Sequence, residues 1–206
     1  MERITADTVR EDSSLRSAKL LRALTVPPAM AFFLITALYT AFGSDAFAAP
    51  IRYFEALFTL VLLPLLPYPL CAAFGSWKRK GRKLERSLAI VFSFIGYLMG
   101  TLFALLGGGT RIEIIVYLTY LISGTLMAVL SFGFRFKASG HACGAAGPFA
   151  MLAYSLSPWW LLGFLLMVPI FISSIRLGRH NLGQLFAGAA VSVSALIIAV
   201  QLANLF

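Results

Sequence analysis

Residues 88–106 read LAIVFSFIGYLMGTLFALL, a run of nineteen residues without a charge. A helix needs about 20 mostly apolar residues to cross the hydrocarbon core of a bilayer, so this run predicts a membrane-spanning helix. Comparable apolar runs lie on both sides of it. The sequence predicts an all-α, polytopic transmembrane bundle of six or seven spans, with candidates at about residues 22–43, 52–75, 88–106, 112–132, 142–156, 159–175 and 182–205.

The composition excludes several other classes of protein. Of the 206 residues, 60% are hydrophobic and 12% are charged. A soluble domain carries about a quarter charged residues, so a soluble globular enzyme is excluded. The apolar content excludes a disordered chain, and two cysteines do not support a secreted disulfide scaffold. The net charge of +9 is best explained by topology and by contact with anionic headgroups, and we expect no nucleic-acid partner.

The placement of basic residues predicts the orientation. We expect residues 1–21 to form a cytoplasmic or interfacial segment and residues 22–206 to form one transmembrane domain. With the N-terminus inside, the cytoplasmic segments and the boundary residue Arg22 hold fifteen of the seventeen basic residues, as the positive-inside rule requires; these segments are 1–21, 76–87, 133–141 and 176–181. Only Arg52 and Arg111 lie on the other side. The expected location is the plasma (inner) membrane, with the C-terminus outside.

Acidic residues are scarce in the predicted spans, which argues against two functions. Metal-dependent prenyl and phosphatidyl transferases need clustered aspartates to hold divalent ions, and the sequence has no such cluster. A proton-driven transporter usually keeps an ionisable residue at mid-membrane, and the spans carry none there. We therefore expect neither a metal nor another cofactor.

The two histidines of the chain, His141 and His180, are predicted to lie at the same membrane depth. A helical hairpin, residues 142–175, leaves the cytoplasmic face after His141 and returns to it before His180. Small and basic residues surround both positions, namely Arg135, Lys137, Ser139, Gly140, Arg176 and Arg179, and the basic segment 78–86 faces the same side. Basic residues beside spans also serve as topology signals. Two imidazoles with guanidinium groups and helix N-termini nevertheless favour a phosphate site, where one imidazole attacks phosphorus and the other protonates the leaving oxygen.

Two stretches resemble signatures of a known family. Residues 137–141, KASGH, resemble the Pro-Ser-Gly-His signature of the type 2 phosphatidic acid phosphatases, whose superfamily includes the vanadium haloperoxidases. Ala138 stands in place of the signature's proline, which affects the rigidity of the loop more than its chemistry. Residues 173–184, SSIRLGRHNLGQ, resemble the next signature, Ser-Arg, five residues, His, three residues, Asp. The spacing of the two stretches, with a helical hairpin between them, also fits, and the resemblance covers roughly residues 78–190.

The resemblance implies roles for these residues. His180 would be the nucleophile that forms a phospho-histidine, and His141 would protonate the departing alcohol. Ser139 and the Gly140 amide would hold phosphate oxygens, and no metal would be needed. A first signature, Lys, six residues, Arg-Pro, is degenerate here: Arg79 and Arg86 have its separation, and Lys137 and Arg135 are alternative sources of that charge.

The chain departs from the family signatures at two important positions. Ser174 stands where the signature has arginine, so Arg176 or Arg179 would have to replace it. Gln184 stands where the signature has the aspartate that orients the nucleophile. His180 and Gln184 are four apart and share a helix face, so the glutamine oxygen can still accept the Nδ1 proton. It supplies no negative charge, and the loss of a charge-assisted bond costs about 1.5–3 kcal/mol, or roughly 10- to 150-fold in rate.

The sequence thus predicts a membrane phosphatase that hydrolyses a phosphomonoester or diphosphate of a lipid at the cytoplasmic face. Phosphatidic acid, phosphatidylglycerol phosphate and isoprenoid diphosphates are all compatible substrates. The alternative is a lipid-binding or scaffold protein of the same fold without turnover, which Ser174 and Gln184 motivate. A transporter is the third possibility, and the scarcity of polar residues at mid-depth disfavours it.

Overall fold

The computed structural model describes residues 16–17, 20–74 and 81–205, except for the side chain of Lys83. These residues contain no strand and are mostly helical, which confirms the predicted all-α fold. The main helices, in chain order, are α1 (Pro27–Phe42), α2 (Pro50–Leu57), α3 (Pro67–Ala73), α4 (Gly81–Leu106), α5 (Arg111–Ala128), α6 (Gly140–Ser155), α7 (Met167–Arg176) and α8 (Leu182–Leu202). A 3₁₀ helix, Pro158–Leu166, leads directly into α7.

Five helical segments of the described chain are long and apolar enough to cross a membrane. They are Pro27–Asp45, Leu84–Leu106, Arg111–Gly133, Pro158–Arg176 and Leu182–Leu205. A sixth is the bent pair Pro50–Leu65 and Pro67–Ala73, if both parts form one span. Many large apolar side chains on these segments are exposed, as expected for a surface that faces lipid. The fold is therefore a polytopic helical bundle with five or six candidate spans.

Prolines set the boundaries of the first two candidate spans. The predicted span 22–43 is interrupted, because α1 begins only at Pro27, with Pro27 and Pro28 in its first turn. Proline suits that position since the first N–H groups of a helix have no intrahelical partner. In the second candidate, α2 continues through a π-helical turn, Phe58–Leu62, and the chain bends by 42° before α3. Pro67 cannot donate a backbone hydrogen bond there, which accounts for the break.

Helix α6 is shorter than the other candidates and lies inside the bundle. Its 16 residues are rich in alanine and glycine, and most of them are buried. Helices α1, α5, α7 and α8 all pack against it. Neighbouring helices therefore cover α6, and it is too short to be counted among the candidate spans. The predicted count of seven is thus reached only if this buried helix is included.

Two glycines allow the close helix contacts that position the N-terminal end of α6. A Cβ atom at Gly188 of α8 would lie 2.2 Å from the backbone oxygen of Ser139. A Cβ atom at Gly144 would lie 2.7 Å from the Cβ of Pro27. Real Cβ atoms do not approach so closely, so both positions need glycine. Helices α1 and α8 therefore both reach the turn of α6 that carries His141.

The opposite end of the bundle carries a buried ion pair. The Arg52 guanidinium contacts Glu113 Oε1 at 3.3 Å and donates to the backbone oxygens of Phe103 and Gly107. Only 11% of the Arg52 side chain and 1% of the Glu113 side chain are exposed. Glu113 also lies in the first turn of α5, where Thr110 caps the helix. This group joins α2 to the connection between α4 and α5.

Candidate functional site

The two histidines lie at the same end of the bundle, here called the histidine end. His141 is in the first turn of α6 and is buried, whereas His180 lies half-buried in the turn between α7 and α8. Burial, followed by the positive charges of Arg22 and His180, lowers the pKa of His141 to about 4. The two imidazoles are therefore in electrostatic range of each other, as the predicted hairpin required.

His180 is held by Gln184 in one tautomer. Its Nδ1 lies 3.0 Å from Gln184 Oε1, and the same oxygen accepts the backbone N–H of Asn181 at 3.3 Å. Because an N–H group donates to this oxygen, it is an acceptor, and His180 Nδ1 must carry the proton. Nε2 then holds the lone pair and faces away from Gln184. This arrangement confirms the predicted contact between His180 and Gln184.

The residues around His180 are fixed by the start of α8. Asn181 is the N-cap residue, and its side chain accepts the Gln184 N–H at 2.9 Å, so that Asn181 and Gln184 form a capping box. The backbone oxygen of Gln184 also accepts the Ser139 N–H at 2.8 Å. Gln184 consequently touches both the segment that precedes His141 and the ring of His180.

Ser139 and Gly140 form the N-terminus of α6. The Ser139 hydroxyl is 0% exposed and accepts the Ala142 N–H at 3.3 Å, as an N-cap residue does. Gly140 is exposed beside it. The structure thus gives the Ser139 side chain a capping contact, and leaves the backbone of Gly140 accessible at the end of the helix. Their predicted contacts with phosphate oxygens remain predictions.

The N-terminal segment contributes to the site, which the sequence did not predict. Thr25 Oγ1 lies 2.8 Å from His141 Nε2 and donates its one proton to the Leu21 carbonyl at 2.7 Å. Both contacts are satisfied when His141 Nε2 carries the proton and donates it to Thr25. One turn earlier, Arg22 Nη1 donates to Ser174 Oγ at 2.7 Å. Arg22 therefore contacts the end of α7, just before His180, and Thr25 contacts His141 at the start of α6.

Ser174 lies at the base of the turn that carries His180. Its side chain is 0% exposed, and its backbone oxygen accepts the Arg179 N–H at 3.0 Å. Gly178 has a φ of +60°, a backbone conformation that glycine adopts without strain. The chain can therefore turn sharply after α7 and bring Arg179 and His180 back beside Ser174 and Arg22.

Several basic groups share this region. Burial lowers the pKa of Arg22, followed by the positive charges of Arg179 and Arg86. Burial also lowers the pKa of His180, whereas the hydrogen bond with Gln184 raises it. The positive charges of Lys137, Arg22 and Arg179 lower the pKa of His180 as well. The charge interactions that shift these pKa values involve Arg22, Arg86, Lys137, Arg179 and both histidines. We call these six residues the cationic cluster.

Two further predicted cations, Arg135 and Arg176, are exposed at the histidine end. Their predicted contacts with phosphate remain predictions. Arg179 is an arginine of this stretch whose positive charge lowers the pKa of His180. Arg79 lies outside the described residues.

The donors of the cationic cluster suit an anion. The ion pairs within residues 16–17, 20–74 and 81–205 join Arg52 to Glu55 and Glu113, far along the chain from the histidines. In the same part of the chain, no three His, Cys, Asp or Glu side chains form a group that could hold a metal ion. Within the described part of the chain, no acidic side chain forms an ion pair with Arg22, Arg86 or Arg179, and a bound phosphate would offset the cost of partly burying such charges.

The chain was compared with protein-family models, with curated proteins and with solved structures, and none of them matches it.

Proposed function

We propose that this protein is an integral membrane phosphatase that removes phosphate from a lipid phosphomonoester or diphosphate. The observation that carries the proposal is the hydrogen bond from His180 Nδ1 to Gln184 Oε1, which leaves the Nε2 lone pair free on a ring that interacts with the charges of Lys137, Arg22 and Arg179. A neutral imidazole whose far nitrogen is oriented by an acceptor is an activated nucleophile. The resemblance of residues 137–141 and 173–184 to the type 2 phosphatidic acid phosphatases supports the same chemistry.

The reaction has two steps. His180 Nε2 attacks phosphorus, the bond from phosphorus to the lipid oxygen breaks, and the protonated form of His141 gives its proton to the leaving oxygen. Water then attacks the phospho-histidine while neutral His141 accepts a proton, and inorganic phosphate leaves with neutral His180 restored. The low pKa of His141, about 4, keeps its ring neutral at pH 7 in the empty site. A bound phosphate dianion raises that pKa and so recruits His141 as the acid.

Charge supports a cytoplasmic location for the histidine end. The cationic cluster lies there, whereas Arg52 and Arg111 make their contacts at the opposite end, Arg52 with Gly107 and Arg111 with Asn204. By the positive-inside rule, the end of the bundle that is richer in Lys and Arg faces the cytoplasm. We therefore propose that the protein lies in the plasma (inner) membrane and meets its lipid substrate from the cytoplasmic side.

Phosphate release by the purified protein tests this function. The detergent-solubilised protein is offered phosphatidic acid, phosphatidylglycerol phosphate, and farnesyl and undecaprenyl diphosphates in the presence of a metal chelator. We expect release of inorganic phosphate from at least one lipid, in proportion to the amount of protein and co-eluting with it on gel filtration. A folded protein that binds these lipids and releases no phosphate from any of them would contradict the proposal.

That negative outcome would favour the second candidate function, a lipid-binding or scaffold protein. Gln184 motivates it, because a neutral amide stabilises the imidazolium of the transition state less than a carboxylate does. A scaffold binds the phospholipids through the cationic cluster and has no turnover.

Substitution of Gln184 separates a weak catalyst from a scaffold. The length of the glutamine side chain sets the distance from its Oε1 to His180 Nδ1. Gln184→Glu keeps that length and so places a carboxylate oxygen at the same point. Aspartate is one methylene shorter and would not reach the same point. We expect Gln184→Glu to raise kcat by roughly 10- to 150-fold. Because the carboxylate also raises the pKa of His180, the acidic limb of the pH profile should move to higher pH.

Gln184→Met is the matched control for length without an acceptor. It should lower kcat below that of the native protein, since neither the tautomer nor the orientation of His180 is then fixed. A rise in kcat with methionine, or no phosphate release from the glutamate variant, would contradict the role assigned to Gln184.

A further inference from the structure

We infer that Arg22 is a phosphate-binding residue of this site and that Ser174 holds it in place. The inference rests on the proposed function, and it extends the site to a segment of the chain that lies outside the two histidine signatures. Residue 174 is a serine, so α7 itself offers no guanidinium at this point. The Arg22 guanidinium lies there instead, 2.7 Å from Ser174 Oγ.

The bond to Ser174 orients Arg22 and leaves it able to bind an anion. A guanidinium has five N–H donors, and the serine oxygen takes one of them. The planar fork fits two oxygens of a phosphate, which is why arginine is favoured in phosphate sites. The Arg22 side chain is half-buried and the Ser174 side chain is fully buried, so the pair is anchored on the protein side.

The position of Arg22 relative to the histidines agrees with this role. Thr25, three residues along the same segment, contacts the ring of His141. The turn that starts at Ser174 carries Arg179 and His180. A phosphate that is attacked by His180 and whose leaving oxygen receives a proton from His141 would therefore lie beside the Arg22 guanidinium.

The charges around Arg22 favour a bound anion. The half-buried Arg22 guanidinium is repelled by the positive charges of Arg179 and Arg86. Such an arrangement is stabilised when an anion with two negative charges occupies the centre. An arginine that served only as a topology signal would extend towards the headgroups, where solvent screens its charge, and would gain nothing from a buried serine.

Binding of inorganic phosphate tests the inference without requiring turnover. The melting temperature of the full-length protein in detergent is measured over a phosphate titration for the native protein and for Arg22→Ala, Ser174→Ala and Arg82→Ala. Arg82 is an exposed arginine at the start of α4 and controls for the loss of one positive charge. We expect Arg22→Ala to weaken phosphate binding by roughly 10- to 150-fold, Ser174→Ala to weaken it less, and Arg82→Ala to bind as the native protein does.

Three outcomes decide the matter. The expected order supports the inference even if the protein releases no phosphate from lipids. Native-like binding by Arg22→Ala overturns it, and so does a native protein whose melting temperature does not respond to phosphate. The lipid assay, which measures release, judges the proposed function separately. If Arg22→Ala does not fold, Arg22→Gln keeps a donor for Ser174 and removes the charge, and the same comparison applies to it.

Discussion

Phosphate release should fall by at least about 1000-fold when His180 is replaced by alanine, the scale seen when a catalytic nucleophile is removed. Gln184 Oε1 accepts a hydrogen bond from His180 Nδ1, so the lone pair of His180 is on Nε2. The substitution by alanine removes this lone pair. The loss should appear in kcat for every lipid that the native protein hydrolyses. The variant should still bind inorganic phosphate, because the guanidinium groups of the cationic cluster remain.

His141→Ala is the comparison that separates the two histidines. General acid catalysis contributes about 10²- to 10⁴-fold, and its contribution depends on how much the leaving oxygen needs a proton. The loss in His141→Ala should therefore be large for an alkyl phosphate and small for phenyl phosphate, whose phenol has a pKa of about 10. Loss of the nucleophile in His180→Ala should be large for both. Equal sensitivity of the two variants to the leaving group would contradict the assigned roles.

Removal of Glu113 should produce the largest loss of stability. Glu113→Ala leaves the largely buried Arg52 guanidinium with only its longer contact to the partly exposed Glu55, and breaking one side of a buried ion pair costs about 3–5 kcal/mol. The substitution also removes an acidic group from the first turn of α5, where it interacts favourably with the helix dipole. The melting temperature in detergent should fall accordingly, whereas kcat at a permissive temperature should stay unchanged because the pair lies at the opposite end from the histidines.

Glu55 offers a matched control for this effect. Its contact with Arg52 is 3.8 Å long and 36% of its side chain is exposed, so Glu55→Ala should cost no more than about 1 kcal/mol. Replacing both partners of the buried pair, in Arg52→Met with Glu113→Leu, should cost less than Glu113→Ala alone. A double variant less stable than the single one would show that the pair stabilises the fold by itself.

Hydrophobic patterning predicts most of this fold. Each predicted span has a helical counterpart, and the length of an apolar run reflects the thickness of a bilayer for all of them except the short, buried helix α6. The breaks are harder to predict. The sequence predicts a first-turn position for Pro27 and Pro28, which the start of α1 at Pro27 confirms. The bend before Pro67 was not predicted, since proline acts through local backbone geometry that average hydropathy does not register.

The site was predicted in part. The contact of His180 with Gln184 was predicted from their separation of four residues, but its cause differs: His180 precedes the N-cap Asn181, and the Gln184 side chain reaches it by folding back in the capping box. The contacts of Arg22 and Thr25 could not be foreseen in this way. Arg22 and Ser174 are 152 positions apart, and no local pattern relates them. The charge of Arg22 has a sufficient explanation in topology, so the sequence offers no reason to seek a second one.

The hydrogen bond between Arg22 and Ser174 also has a consequence for how the protein is made. Ribosomes add roughly 5–20 residues per second, so the 152 positions between the two residues correspond to about 8–30 s of synthesis. During that interval the first helices are already made, but the helices that carry Ser174 and His141 have not yet docked against Arg22 and Thr25. The contacts of Arg22 with Ser174 and of Thr25 with His141 can therefore form only after the late hairpin has docked against the earliest described segment of the chain.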